Sequence, residues 1–239
     1  MTKTILDSHI HIIPGVDDGA TDIDIAMEMI EKSKSQGTKN IIATSHSYAF
    51  DINAQKANES FLKLQQECLS KGIGLYMGCE ILCQPHKIKE IIHDINTEKY
   101  PSMNKTKYIL MEWDNYNAQI EKLNKCIDLF VENGWKPIIA HAERYFFSSV
   151  ELVKQWILHG ALIQMNLYSV ADEEDMCIRG LARALLKEKL VSIIGTDAHG
   201  INHRAPMIDN GVKEMYSFLD EAYVDAILFK NAMQMFGIS

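Results

Sequence analysis

The chain has 239 residues, 47% of them hydrophobic and 23% charged, and its 24 Lys and Arg against 32 Asp and Glu leave a formal net charge of −8. That length suits one large α/β domain spanning 1–239, and the acidic balance argues against nucleic acid or an anionic membrane as partner, since both need a basic face. No apolar run reaches the roughly 18 residues of a membrane helix, and Asp7 and two His arrive before a signal-peptide core could form, so a soluble cytoplasmic protein is expected.

From the N-terminus, short apolar runs alternate with longer stretches of helical period. Strands are predicted over 4–8, 40–45, 75–79, 108–111, 137–140, 161–165 and 191–196. Between them Ile23, Ala26, Met27 and Ile30 fall at i, i+3, i+4 and i+7, one face of an amphipathic helix. Ile120, Leu123, Ile127 and Phe130 form a similar stripe, as do Ile178, Leu181, Ala182 and Leu185. Gly37, Gly72, Gly134 and Gly160 stand where helix C-caps belong. Seven strand–helix alternations imply a largely parallel sheet.

The residues that follow those strands argue for closing the sheet into a barrel. Six of the seven strands run into a metal-ligand residue type: His9 and His11, His46, Glu80, Glu112, His141, and Asp197 with His199. The sixth strand ends in Gln164 and Asn166, which are polar but poor metal ligands. A parallel barrel gathers all these strand ends on one face, whereas an open sheet would spread them along a line.

His9-Ile-His11 and Asp197-Ala-His199 each place two ligands at i and i+2, on one side of an extended chain. Carboxylates directly after apolar strands are costly to bury without a cation. Counting Asp18 in the acidic loop 17–19, five His (9, 11, 46, 141, 199) and four carboxylates (Asp18, Glu80, Glu112, Asp197) make nine candidate ligands. Nine mixed nitrogen and oxygen ligands exceed the needs of one ion and suit two or three, with Mn, Fe or Zn favoured over a thiolate metal. The five Cys, at 68, 79, 83, 126 and 177, lie off this face and read as reduced thiols.

The segments DSHIHIIPGVDDG (7–19), ATSH (43–46), GCEI (78–81), YILME (108–112), IAHAERY (139–145) and GTDAH (195–199) resemble the PHP superfamily. More narrowly, with VDDG, HAERY and HRAP (203–206), the chain resembles the bacterial CpsB/CapC/YwqE-type protein-tyrosine phosphatases rather than the related histidinol-phosphate phosphatases. The resemblance implies a distorted seven-stranded (β/α) barrel holding three metals, usually manganese. It carries the metal-ligand role to His9, His11, Asp18, His46, Glu80, Glu112, His141, Asp197 and His199, and a phosphate-contact role to Arg144 and Arg204. It also implies a substrate, the phosphotyrosine tail of an autophosphorylating bacterial tyrosine kinase controlling capsule or exopolysaccharide export. Departures flank the site: Ser47 stands where relatives carry a second His or Arg, GTDAHG replaces the commoner SDAHN, and the loop 48–55 differs.

The expected chemistry is attack of metal-bridged hydroxide on phosphorus, with Arg144 and Arg204 neutralising the equatorial oxygens. His199 or a metal-bound water would protonate the leaving phenolate, itself a fair leaving group. An ordinary surface salt bridge is the alternative role for either arginine. The alternative functions are hydrolysis of a small phosphomonoester such as histidinol phosphate, and non-catalytic metal-bound regulation of the kinase. A rival signal, Cys177-Ile-Arg-Gly180-Leu-Ala-Arg183, has the C-x-x-G-x-x-R spacing of thiol phosphatases, but its acidic approach and inward Ile178, Leu181 and Leu185 read as a helix. His86, His93 and His159 are expected to be solvated or capping residues on helices, with His203 on the site rim or plain surface. Trp113, Tyr116, Tyr145 and Tyr168 are candidate pocket walls or loop packing.

Overall fold

The computed structural model describes residues 4–115, 120–171 and 174–238. Strands and helices alternate in chain order: β1 (Ile5–Ile10), α1 (Ile23–Ser35), β2 (Thr38–Ala43), α2 (Ser47–Ser70), β3 (Gly74–Met77), β4 (Glu80–Cys83) and α3 (Ile88–Asn96). There follow β5 (Tyr108–Trp113), α4 (Ile120–Glu132), β6 (Lys136–Ile139), α5 (Val150–Leu158), β7 (Leu162–Asn166), α6 (Met176–Lys187) and β8 (Ile193–Gly195). The chain closes with α7 (Asp209–Phe218), α8 (Glu221–Asp225), a π turn and α9 (Asn231–Phe236). The three apolar stripes expected at Ile23, Ile120 and Ile178 lie on α1, α4 and α6, and Gly37, Gly72, Gly134 and Gly160 all adopt positive φ after their helices.

Every strand pairing is parallel, in a three-stranded sheet of order β1-β2-β3 and a five-stranded sheet of order β4-β5-β6-β7-β8. Two isolated parallel bridges join the sheets, Ile10 of β1 with Ala198 after β8, and His46 after β2 with Glu80 of β4. The Asp197 N–H donates to the His9 carbonyl at 2.7 Å, and the Glu80 N–H to the Ser45 carbonyl at 3.1 Å. Leu6, Ile42, Leu110, Ile138 and Ile193, one from each of five strands in the two sheets, share a buried cluster with Ala232 and Phe236 of α9. Side chains from both sheets reach one interior only if the sheets curve around it.

The expected count of seven strands is corrected to eight, in two sheets. The strand predicted over 75–79 is β3, which ends at Met77 and pairs with β2; the added strand is β4, which begins at Glu80, past the predicted one, and pairs with β5. A Cβ on Gly78 would sit 2.9 Å from both the Ile42 side chain and Met103 Sδ, so the crossing passes only where no side chain stands. Glu80 therefore opens a strand instead of following one, and Glu112 lies within β5. The segment 48–55 is also corrected, since it forms the first turns of α2 with a break at Asn53 (φ −162°, ψ 85°). No helix among the described residues is long and apolar enough to cross a membrane.

Candidate metal centre

The C-terminal ends of β1, β2, β5, β6 and β8, with the first residue of β4 and the turn after β1, bring all nine sequence-predicted ligands together. Glu80, 1% exposed, is the hub: its carboxylate lies 2.9 Å from His141 Nε2, 3.3 Å from His9 Nε2, 3.1 Å from His11 Nε2 and 3.2 Å from His46 Nδ1. His9 Nε2 and His11 Nε2 are 3.2 Å apart, as the i, i+2 spacing on β1 requires. Glu112 Oε1 approaches His46 Nδ1 at 3.4 Å, and Asp197 Oδ1 stands 3.6 Å from both His9 and His11 Nε2. Asp18 Oδ1 lies 3.4 Å from His46 Nε2 and 3.5 Å from His199 Nε2. Three overlapping groups have ligand atoms mutually within 4.8 Å: His11, Asp18, His46 and His199; His9, His11 and Glu80; and His46, Glu80 and Glu112.

The hydrogen bonds around the imidazoles settle which nitrogen faces inward. Gln164 Oε1 accepts from the His141 backbone N–H at 2.7 Å and lies 3.1 Å from His9 Nδ1. His9 Nδ1 is then the donor, and Nε2 keeps its lone pair for the centre. His11 Nδ1 similarly donates to Asp17 Oδ2 at 3.0 Å, and His199 Nδ1 to its neighbour's carbonyl, that of Asp197, at 2.9 Å. Asn166 Nδ2 donates to Asp197 Oδ2 at 2.9 Å. Asp17, Gln164 and Asn166 are thus orienting residues that the sequence reading left out of the site. The Asp17-Asp18 doublet and the polar end of the sixth predicted strand were the only signals for them.

The arrangement fits divalent ions. Asp197 Oδ1 and His199 Nε2 are buried without a hydrogen-bond partner, an arrangement that is expensive unless a cation takes the lone pairs. Arg204 Nη2 lies 2.6 Å from Asp197 Oδ1 as an ion pair, yet without hydrogen-bond geometry. Backbone strain collects at the same place: His141, Asp197 and Arg204 hold φ values of 32°, 53° and 48°. Burial opposes charge on His11 and His141, but the carboxylates of Asp17 and Glu80 raise His11 to about 10, and Glu80 raises His141 to about 9. Burial likewise opposes the charge of Glu80, and the surrounding imidazoles outweigh it and hold the carboxyl well below its usual range. Burial and the neighbouring His11 push His199 down to about 4.

Beside this centre a cavity of about 870 Å³ is lined by His141, Arg144, Tyr168, Asp197, His203 and Arg204, among others. Both arginines expected to contact phosphate border it, and both engage carboxylates: Arg204 meets Asp197, and Arg144 Nη1 donates to Glu174 Oε2 at 2.7 Å. Trp113 and Tyr145 are buried in its wall, where the Trp113 backbone N–H donates to Tyr145 Oη at 3.0 Å. Tyr116 lies outside the described residues. His86 sits in a short 3-10 turn, His93 in α3, and His159 at the C-cap of α5, 2.6 Å from Asp128. Cys177 occupies the first turn of α6, its N–H donating to Asp175 Oδ1 at 2.8 Å, and Arg183 pairs with Glu214. The C-x-x-G-x-x-R spacing therefore runs along a helix and forms no phosphate-wrapping loop.

The family described as capsular polysaccharide synthesis, CpsB/CapC, matches residues 5–237. A putative tyrosine-protein phosphatase CapC from Staphylococcus aureus is 30% identical over 227 residues, covering 90% of this chain and 87% of the relative. Tyrosine-protein phosphatase YwqE from Bacillus subtilis is 28% identical over 208 residues, covering 84% and 79%. The fold is shared with a solved structure from work on YwqE of Bacillus subtilis and CpsB of Streptococcus pneumoniae, described as metal-dependent tyrosine phosphatases. The TM-score is 0.83 at 24% identity, over 98% of this chain and 95% of that one.

Proposed function

This chain belongs to the CpsB/CapC family, and from that premise we propose that it is a metal-dependent protein-tyrosine phosphatase using the nine-ligand centre. The observation that carries the reading is the convergence of five imidazoles and four carboxylates, Glu80 at their hub, with Asp197 Oδ1 and His199 Nε2 buried without a hydrogen-bond partner. His9, His11, Asp18, His46, Glu80, Glu112, His141, Asp197 and His199 would hold two or three divalent ions, manganese first among them. When bound, these ions supply a water of lowered pKa and positive charge for the phosphoryl oxygens.

The chain's own residues do the rest. Arg144 and Arg204 border the cavity next to the centre, and a guanidinium fork matches two phosphate oxygens. Binding the phosphate asks each to exchange a carboxylate partner, Glu174 or Asp197, for the ester. Gln164, Asp17 and the Asp197 carbonyl hold His9, His11 and His199 with Nε2 inward, so these ligands need not reorient on loading. Tyr168 lines the cavity and would offer its ring to the aromatic group of the ester. The finer reading of the substrate is a phosphotyrosine on a bacterial tyrosine kinase that governs capsule or exopolysaccharide export. The capsular description of the family supports it.

Hydrolysis of p-nitrophenyl phosphate and of phosphotyrosyl peptides, with histidinol phosphate for comparison, tests the proposal. Activity should require Mn²⁺, disappear with chelator, return on reloading and persist in Cys177→Ser. Activity that resists chelation but is lost in Cys177→Ser would sink it.

A further inference from the structure

Asp18 is the outlier of the nine ligands. Its side chain is 58% exposed, against 20% or less for its neighbours Glu112, His46 and His199. It stands in the turn after β1, with no strand behind it. Its carboxylate nevertheless lies within 3.5 Å of two imidazole nitrogens, so something outside the turn must hold it there.

Both parts of the broken helix α2 grip this turn. Tyr48, in the first turn, donates through Oη to Asp18 Oδ1 at 3.3 Å and accepts the Asp18 backbone N–H at 3.1 Å. Its ring stacks on His46, with centroids 5.3 Å apart and planes at 22°. Beyond the break, Asn53 Oδ1 accepts the Lys56 N–H at 2.9 Å, which restarts the helix with a side-chain cap. Lys56 Nζ then donates to the Gly15 carbonyl at 2.6 Å, three residues before Asp18.

We propose that Tyr48, backed by Lys56, is a positioning residue that latches the Asp18 turn over His46 and thereby completes the ligand group of His11, Asp18, His46 and His199. The latch rests on the metallophosphatase reading and adds to it a specific device for one ion. Outer partners of metal ligands typically govern affinity by 10–100-fold. Tyr48 is such a partner to Asp18 and to His46, and of the three ligand groups only that of His11, Asp18, His46 and His199 contains both.

The test is calorimetric titration of Mn²⁺ into chelator-stripped full-length protein, with bound metal counted by elemental analysis. Tyr48→Phe keeps the ring and removes only the hydroxyl. It should leave the melting temperature of the metal-free protein unchanged and weaken one binding step about 10–100-fold, with the other steps within about twofold. Lys56→Met should weaken the same step by a smaller factor. Wild-type affinity at every step in both variants, or equal weakening of all steps, overturns the latch while the metal centre stands. Failure of the unaltered chain to bind Mn²⁺ overturns the metallophosphatase reading as well.

Discussion

At the scale of single residues, the protons on His11 and His141 govern how the centre meets a metal. Raised to about 10 and about 9, both imidazoles are charged at neutral pH in the metal-free protein, so loading must expel those protons. Calorimetry in buffers of different ionisation heat should detect proton release at pH 7, and apparent Mn²⁺ affinity should climb as pH rises toward 9–10. The same groups bind protons more tightly folded than unfolded. Their stabilisation is therefore complete below the ordinary His value of about 6.5 and is lost as pH passes about 9 and then about 10. Asp17 has the opposite sign. Burial alone would raise its pKa, but His11 lowers it to about 2, so its contribution holds above the usual carboxylate range and fades as pH falls toward that value. Metal-free protein should melt highest in weakly acidic buffer, and melting curves from pH 4 to 10 with and without Mn²⁺ would check it. Gln164 is the second residue to probe, because its one carbonyl oxygen serves both His9 and the His141 backbone. Gln164→Ala should cost about 10–100-fold in metal affinity, measured by the same titration, while removing no ligand.

At the scale of elements, the junction of β1 with β8 decides whether the centre assembles. A Cβ on Gly195 would lie 2.5 Å from His9 Cβ and 2.7 Å from His9 N, so β8 approaches β1 only because that position carries no side chain. Asp7 fastens the same seam, its carboxylate accepting the Thr196 N–H at 2.9 Å and the Thr196 hydroxyl at 2.6 Å. Gly195→Ala should destabilise the fold by about 1–3 kcal/mol and lower metal content, checked by denaturant unfolding and elemental analysis. The strand pattern itself was legible because parallel strands buried on both faces read as short apolar runs; the added strand β4 was not. The apolar run 75–79 ends before β4 begins, and the change of sheet after Gly78 depends on where Ile42 and Met103 stand. The segment 48–55 read as a loop is instead helical up to a break at Asn53, whose side chain caps the helix that resumes at Lys56.

At the scale of the whole molecule, the metal centre joins the two sheets. His9, His11 and His46 come from the three-stranded side, and Glu80, Glu112, His141 and Asp197 from or beside the five-stranded side. An ion held between them ties sheet to sheet beside the bridges and hydrogen bonds of those seams. Because the ions would bind the folded state alone, Mn²⁺ at about a hundred times its dissociation constant should add about 2.7 kcal/mol per site. For a chain of this size that raises the melting point by about 5–10 °C per site. Differential scanning with and without chelator reads it directly, and an unchanged melting point would count against the centre.

The sequence by itself determined the parallel α/β class and the nine candidate ligands, because strand ends, i, i+2 spacing and costly carboxylates are local chemistry written in residue order. It also dismissed the Cys177 motif, since inward Ile178, Leu181 and Leu185 mark a helix wherever that segment packs. Only the tertiary structure decided the strand count and the roles of Asp17, Gln164, Asn166 and Tyr48, because these depend on contacts between segments far apart in the chain. It likewise gave Arg144 and Arg204 their carboxylate partners beside the cavity. A ligand type can be recognised alone, whereas what orients it is known only once the chain has brought a second segment against it.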